Sequence, residues 1–380
     1  MKTITCSTLF FMAMLMVSCG PTPAQKADQA MNDLINDHNA VGLSVAVVKD
    51  NKIVYTGAFG AKNIAEGTQI GVDDIFRIAS ISKSFTATAM MQLREQGKFA
   101  LDDDVSPVLG FTVRNPNYPD IPITFRMLLS HTSSMNDNAG YFSLDVIDPQ
   151  VTPTYSRSFN QYAPGTGYEY CNLGYNTLGT LVEILSGERF DLYMKNHIID
   201  PLGLHAGYNV DDFDPSEFVT IYEYEDDQFV ASPDAYRSRA DELGNYIMGR
   251  TTPIFSPTGG MKIAPKDLAK HMLVQMNQGT WNGVQIITPE SVEAMQTPYD
   301  YQDGRESWYG FAISTNPKLI EGEMMKGHTG SAYGLLSAMF FNPEKKYGFV
   351  MMTNGVQPGR SEYGIQADVV RALYKIFIEE

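Results

Sequence analysis

Segments with the character of β-strands lie at the two ends of the sequence, and segments with helical periodicity lie between them. The strand segments are rich in β-branched and aromatic residues and are bounded by turn residues. Because strands from distant parts of a chain can pair in one sheet, the pattern predicts an α+β fold whose antiparallel sheet is built from both termini and flanked by helices. The predicted strands are 43–48, 53–57, 309–314, 335–342 and 347–353.

The middle of the chain predicts an inserted all-helical lobe of about 81–304. Helical periodicity begins at Ile81 and ends near Gly97, and it returns at 178–185 and 265–278 between long, proline-rich loops. An α/β lobe would then consist of about 26–80 and 305–380, closed by a helix at 365–378. The acidic, tyrosine-rich segment 209–250 is expected to border the cleft between the lobes and to set specificity.

The N-terminus has the pattern of a secretion signal. Lys2 precedes an apolar run at 9–17, which is too short to span a membrane. The run ends in Met16-Val17-Ser18-Cys19, which resembles a bacterial lipobox, so we expect a lipoprotein signal at 1–18, a lipid on Cys19 and a tether at 19–25. An ordinary signal peptide is the alternative. Either reading predicts export, and lipidation predicts a protein of the cell envelope or periplasm that is anchored to a membrane.

Charge and motif content exclude several classes of partner. The formal net charge is -16 and no basic block offsets it, which argues against nucleic acid as a partner. No H-E-x-x-H or C-x-x-C arrangement indicates a metal, and no cofactor is expected. If Cys19 carries lipid and Cys6 is removed with the signal, Cys171 remains alone and no intramolecular disulfide can form.

The first motif with chemical content is Ser80-Ile81-Ser82-Lys83. Residues three apart share one face of a helix, so the Lys83 amine can reach the Ser80 hydroxyl. A lysine whose pKa is lowered by burial can remove the hydroxyl proton, and the helix N-terminus adds backbone N–H groups beside a developing oxyanion. A serine and a lysine at this spacing also occur readily by chance.

The second motif is Tyr170-Cys171-Asn172. In an extended loop, alternate residues point the same way, so Tyr170 and Asn172 are expected to face one pocket while Cys171 faces away. A phenol can share a proton with Lys83 and Ser80, and an amide can orient both the lysine and a substrate carbonyl. A loop tyrosine beside a turn asparagine is the structural alternative.

The third motif is Lys326-Gly327-His328-Thr329-Gly330-Ser331, which precedes a predicted strand. His328 and Gly330 are expected to project to one side, and the missing side chain at Gly330 would let a substrate backbone approach. The backbone N–H of Ser331 would be an oxyanion donor. A glycine-flanked histidine in a turn is the alternative interpretation.

Taken together and in this order, the three motifs resemble those of the serine β-lactamase and penicillin-binding-protein superfamily, in particular its class C β-lactamase, D-aminopeptidase and esterase branch. The resemblance implies that Ser80 is acylated, that Lys83 and Tyr170 move its proton, and that Asn172, His328, Thr329 and Gly330 bind substrate. It also implies an oxyanion hole formed by the backbone N–H groups of Ser80 and Ser331, in a cleft between the two lobes.

The third motif departs from the family pattern, because His328 stands where many members have lysine. This favours esters or D-aminoacyl peptides over β-lactams as acyl substrates. His131 with Asp137 or Asp145 could instead form a triad with a serine, although the sequence has no G-x-S-x-G elbow. A non-catalytic lipoprotein that uses the same fold for binding is the alternative from a different functional class.

Overall fold

The computed structural model describes residues 20–300 and 308–379. The helices in these ranges are α1 Pro23–His38, α2 Ser82–Glu95, α3 Ser106–Leu109, α4 Phe125–Leu129, α5 Asn172–Ser186, α6 Phe190–Met194, α7 Ala240–Leu243, α8 Pro265–Met276, α9 Pro289–Gln296 and α10 Gly364–Tyr374. The strands are β1 Gly42–Lys49, β2 Lys52–Asn63, β3 Thr68–Gln69, β4 Phe76–Arg77, β5 Ala206–Gly207, β6 Tyr222–Glu225, β7 Gln228–Ala231, β8 Lys262–Ile263, β9 Thr280–Trp281, β10 Val284–Gln285, β11 Ser314–Asn316, β12 Met325–Ala332, β13 Leu335–Asn342 and β14 Tyr347–Thr353.

The main sheet joins strands from both ends of the chain, as the sequence predicts. Its seven strands lie in the order β11-β12-β13-β14-β1-β2-β3, and every neighbouring pair is antiparallel. The N-terminal hairpin meets the C-terminal strands where β1 pairs with β14, in a register that places Val45 opposite Met351. This pairing confirms the α+β fold with a sheet assembled from the two termini.

Both faces of this sheet are covered by helices. Alternate residues of β1, such as Leu43 and Val45, pack with α1 and α10 in one apolar cluster. Ala46 and Val48 point the other way and pack with Met272 of α8 in a second cluster that continues into the helical lobe. Helix α8 therefore lies on the sheet, although the sequence analysis assigned its residues to the helical lobe.

Three local predictions differ from the structure. The tether was predicted to reach residue 25, but α1 begins at Pro23 because Thr22 and Gln25 form a capping box and proline is favourable in the first turn. Residues 309–313 form a tight turn rather than a strand: the N–H of Gly310 donates to the carbonyl of Ile313, and Tyr309 pairs with Ser314, the first residue of β11. The third motif precedes β13 as predicted, but it is not a turn: it forms a strand of its own, β12.

The predicted signal and Cys19 lie outside the described residues. Within 20–300 and 308–379, no helix is long and apolar enough to cross a membrane.

Candidate active site

Ser80 lies in a 3-10 turn, Ala79–Ile81, which leads directly into α2. Ala79 has a φ of 48°, a left-handed conformation that costs energy for a residue with a side chain. Hydrogen bonds hold this turn on both sides: Ser82 Oγ donates to the Ala79 carbonyl at 2.6 Å, and Ser337 Oγ donates to the Ile78 carbonyl at 2.9 Å. The strained turn presents Ser80, which is partly exposed, at the start of an otherwise buried helix.

The Lys83 side chain is fully buried and is directed at Ser80. Its Nζ donates to Ser80 Oγ at 3.1 Å, to Asn172 Oδ1 at 2.9 Å and to the Thr258 carbonyl at 3.0 Å. Burial lowers the pKa of Lys83 to about 7, against the smaller opposing effects of Asp137 and Cys171. The amine therefore exchanges its proton near neutral pH, which a general base for a serine hydroxyl requires.

Tyr170 covers the same lysine from the other side. Lys83 Nζ lies 4.7 Å from the centre of the Tyr170 ring. The Tyr170 hydroxyl is buried and has no hydrogen-bond partner among the described residues. Burial raises the pKa of this phenol, and the nearby Ser80 hydroxyl lowers it in part without meeting hydrogen-bond geometry. The phenol thus keeps its proton at neutral pH and has a free O–H beside the nucleophile.

Asn172 faces the site as predicted, but from a helix rather than an extended loop. It is the first residue of α5, and its Oδ1 accepts from both Lys83 Nζ and Thr258 Oγ1, the latter at 2.7 Å. Cys171 faces away, and its thiol donates to Asp137 at 3.4 Å. The Y-x-N spacing thus places Tyr170 and Asn172 around one lysine because the chain changes from extended to helical between them.

The Asp137 carboxylate holds Asn172 in this orientation. Its Oδ2 accepts from the backbone N–H and from Nδ2 of Asn172, at 3.0 and 2.9 Å, and its Oδ1 accepts from the backbone N–H of Leu173 at 2.9 Å. A carboxylate from a distant loop therefore caps α5, where the helix dipole favours negative charge. With Nδ2 bonded to Asp137, the amide oxygen is the atom left for Lys83.

Asp137→Asn tests this positioning role. The acid limb of the pH profile is the range in which kcat/KM rises as Lys83 loses its proton. Loss of the Asp137 charge is expected to move this limb to lower pH by about 1, because Asp137 raises the pKa of Lys83. The pH dependence of ester hydrolysis by the two proteins measures the displacement. If Asp137→Asn lowered activity without moving the pH dependence of kcat/KM, Asp137 would act only as a cap of α5 and would not set the pKa of Lys83.

Strand β12, which carries the third motif, packs against the 3-10 turn Ala79–Ile81, called the nucleophile turn below. Gly330 is buried there, and a Cβ at this position would lie 2.3 Å from the Ile78 carbonyl oxygen and 2.4 Å from Ser337 Oγ. The prediction that Gly330 leaves room for a substrate backbone is wrong. Its missing side chain leaves room for the backbone of the protein's own nucleophile turn. Thr329 and Ser331 are exposed on the opposite parity of the strand.

Gly330→Ala is accordingly expected to push the nucleophile turn away from β12. The contact is with backbone, which yields less easily than a side chain, so we expect a loss of about 1–3 kcal/mol of unfolding free energy together with impaired turnover. Thermal unfolding and ester hydrolysis measure the two effects. Ser331→Ala, at an exposed position of the same strand, is the control, and equal stability of both variants would contradict the packing argument.

His328 is buried with both ring nitrogens occupied by the protein. Nδ1 lies 2.5 Å from the Thr329 carbonyl, which can only accept, so Nδ1 carries the proton. Nε2 lies 3.1 Å from the Tyr309 hydroxyl and accepts from it. Burial and the charge of Lys83 lower the pKa of His328 to about 4, so the ring is neutral near pH 7. It supplies no cation for a substrate carboxylate.

His131 does not act as the base of a triad, and Lys326 does not replace the cation that is missing at position 328. His131 Nδ1 accepts from the Cys171 backbone N–H at 3.1 Å and its Nε2 has no partner among the described residues, so His131 is bonded to neither Ser80 nor Asp137. Lys326 Nζ donates to the Gln296 carbonyl at 3.3 Å, away from the cleft. The described residues thus hold neither the triad nor a lysine that replaces the cation absent at position 328.

Sequence reasoning missed Thr258 and Tyr309 as parts of the site, and it considered Asp137 only as a triad partner of His131. Each acts through a contact distant in sequence: Asp137 caps a helix that starts 35 residues later, and the Thr258 carbonyl binds a lysine 175 residues earlier. Thr258 lies in the segment Ser256-Pro257-Thr258-Gly259-Gly260-Met261, which contributes to the family resemblance and was the available signal. Tyr309 carried no signal.

Comparison with known proteins agrees with this geometry. The beta-lactamase family model matches residues 26–372. Penicillin-binding protein 4 of Amycolatopsis lactamdurans is 33% identical over 180 residues, or 45% of this chain and 45% of that protein. The chain spans between about half and two thirds of the lengths of curated relatives that it matches.

Two solved structures show the same fold. The octameric penicillin-binding protein homologue from Pyrococcus abyssi has a TM-score of 0.71 at 25% identity, covering 92% of this chain and 76% of that one. EstCE1, a hydrolase with promiscuous acyltransferase activity, has a TM-score of 0.72 at 19% identity, covering 93% of this chain and 98% of that one. With the family model matched over nearly all of its described length, the chain belongs to the beta-lactamase family.

Proposed function

We propose that this protein is a serine hydrolase that forms an acyl-enzyme on Ser80 and acts on an ester, amide or D-amino-acid-containing peptide. The observation that carries the proposal is the 3.1 Å contact between Ser80 Oγ and a fully buried lysine whose pKa is about 7. A buried lysine is costly to keep, and here its partners are the nucleophile, an amide oxygen and a carbonyl oxygen. No purely structural role needs that arrangement at a partly exposed serine.

In the proposed reaction, neutral Lys83 takes the proton of Ser80 while Ser80 Oγ attacks the substrate carbonyl carbon. The resulting oxyanion would be bound by the backbone N–H groups of Ser80 and Ser331. Expulsion of the alcohol or amine requires a proton, which Lys83 returns through the Tyr170 hydroxyl, and leaves the acyl group on Ser80. Water then attacks the acyl carbon and gives a proton to Lys83, and Lys83 returns this proton to Ser80 Oγ as the acid leaves, which restores the free serine and the neutral lysine.

Simple carboxylic esters are the first choice among the acyl substrates. Penicillin-type substrates carry a carboxylate, and position 328 holds a neutral histidine with both nitrogens engaged rather than a cation. Acyl transfer through Ser80 also agrees with the fold shared with EstCE1, which is described as a hydrolase with promiscuous acyltransferase activity. We therefore expect β-lactams to be hydrolysed more slowly than simple esters.

A panel of short-chain 4-nitrophenyl esters, D-aminoacyl peptides and a chromogenic cephalosporin tests this proposal. Wild type is expected to hydrolyse the esters with a burst of nitrophenol, the mark of an accumulating acyl-enzyme. Tyr170→Phe removes only the hydroxyl and is expected to slow turnover about 10²-fold. Folded protein that turns over no member of the panel would instead support the non-catalytic binding lipoprotein.

We further propose export with a lipid on Cys19, in the cell envelope or periplasm. The support is the sequence pattern of residues 1–19 alone. Expression in a bacterial host with an alkyne fatty acid is expected to label wild type and not Cys19→Ser. Equal labelling of the two proteins, or none of either, would contradict lipidation.

A further inference from the structure

A cavity of about 340 Å³ is lined by two arginines, Arg237 and Arg239, together with apolar and aromatic residues. The apolar part of the lining is formed by Phe142, Ile254 and Tyr333. None of these residues belongs to the three catalytic motifs. Arg237 and Arg239 lie in the segment 209–250, for which the sequence predicts a place beside the cleft.

Three of the lining residues lie close in the chain to residues of the catalytic site. Tyr333 follows Ser331 by two residues, at the end of β12. Ile254 lies in the 3-10 turn Thr252–Phe255, four residues before Thr258, whose carbonyl accepts from Lys83. Phe142 follows Tyr141, a phenol whose pKa is raised by burial and by the nearby Asp137 carboxylate. Three segments that also carry residues of the site thus each contribute to the lining of this cavity.

The guanidinium groups retain most of their hydrogen-bond capacity. Arg237 Nη2 and Arg239 Nη1 both donate to one oxygen, Glu242 Oε1, at 2.7 and 3.0 Å. Each guanidinium has five N–H donors, and no other side-chain acceptor or carbonyl binds them among the described residues. Two guanidinium groups that share a single carboxylate oxygen keep N–H donors with which to bind a second carboxylate.

A third arginine lies behind the aromatic wall. The Arg77 guanidinium is 5.0 Å from the centre of the Tyr333 ring and is buried, where it donates to the Gly259 carbonyl at 2.9 Å. Glu242 and Asp234 are the carboxylates that face these cations across the cavity. In a chain with a net charge of -16, such a grouping of arginines is where an anion is attracted.

We infer that this cavity is a carboxylate subsite of the cleft, in which Arg237 and Arg239 bind the anionic end of an ester or peptide substrate that Ser80 attacks. Phe142, Ile254 and Tyr333 would pack against a short apolar chain between the carboxylate and the reacting carbonyl. The inference rests on the proposed function and narrows its substrate class to acyl compounds with a carboxylate.

Paired esters that differ only in charge test the inference. The neutral probe is 4-nitrophenyl hexanoate, and the anionic probes are mono-4-nitrophenyl adipate, charged on the acyl chain, and 3-carboxyphenyl hexanoate, charged on the leaving group. Wild type is expected to favour one anionic probe. Arg237→Gln with Arg239→Gln should raise KM for that probe about tenfold while the hexanoate values stay unchanged.

Two further variants make the test specific. Glu242→Gln removes the competing carboxylate and is expected to lower KM for the anionic probe, opposite to the arginine changes. Arg250→Gln is the matched control, because Arg250 is an exposed arginine of the same segment that pairs with Asp145 and does not line the cavity. Unchanged selectivity in the arginine variants would overturn the subsite, whereas inactivity of wild type toward all three esters would overturn the proposed function instead.

Discussion

Ser80→Ala is expected to abolish ester hydrolysis, with a fall in kcat of about 10⁴-fold or more. Without Oγ no acyl-enzyme forms, and the remaining groups can only orient water. The Ser80 hydroxyl is partly exposed and its one side-chain partner is Lys83, so its removal creates no packed cavity. The free energy of unfolding should therefore stay within about 1 kcal/mol of wild type.

Steady-state and burst kinetics with a 4-nitrophenyl ester measure the loss, and thermal unfolding measures the stability. Ser84→Ala is a control for turnover from the same helix, because Ser84 Oγ donates to the Ile81 carbonyl at 2.8 Å, lies 3.1 Å from His271 Nε2 and takes no part in the site. If Ser80→Ala retained turnover within tenfold of wild type, Ser80 would not be the nucleophile.

The pH dependence of kcat/KM is expected to have its acid limb near pH 7. Lys83 acts as a base only when neutral, and its pKa is about 7 in the folded protein. Activity should therefore rise as pH increases through 7 and be lost as pH falls below it. A lysine with its ordinary pKa would place that limb more than three pH units higher.

Lys83→Ala links the limb to this residue. We expect a loss of about 10²- to 10⁴-fold in kcat/KM, since the general base is removed. Added propylamine should restore part of the activity, because a small amine can occupy the space of the missing side chain. If Lys83→Ala kept an acid limb near pH 7, that limb would not belong to Lys83. An acid limb of the wild-type kcat/KM near pH 10 instead of pH 7 would also contradict the role given to Lys83.

The strands and their placement were predictable because their signal is local. Residues 335–342 and 347–353 were predicted as strands with the bounds of β13 and β14, since β-branched and aromatic residues end there at turn residues. The segment 309–314 has similar composition but forms a turn. Its backbone bonds go to α9 and the residues after it, such as Met295, and no local pattern reports that contact.

The candidate site was predictable where spacing sets geometry and unpredictable where tertiary packing does. Ser80 and Lys83 meet because residues three apart share a helix face, and the hydrogen bond between them follows from that spacing. The state of His328 does not follow from spacing, because it depends on Tyr309 and on burial. The need for glycine at position 330 likewise depends on tertiary packing, because the Ile78 carbonyl lies against it.

The most direct test of the account is covalent labelling of Ser80. Wild type and Ser80→Ala are treated with a fluorophosphonate, and intact mass followed by peptide mapping locates the adduct. The account predicts one adduct per wild-type chain, on the peptide that contains Ser80, and none on the variant. It also predicts that labelling accelerates as pH rises through 7, as Lys83 loses its proton. Folded wild type that stays unlabelled, or equal labelling of the variant, would contradict the central claim.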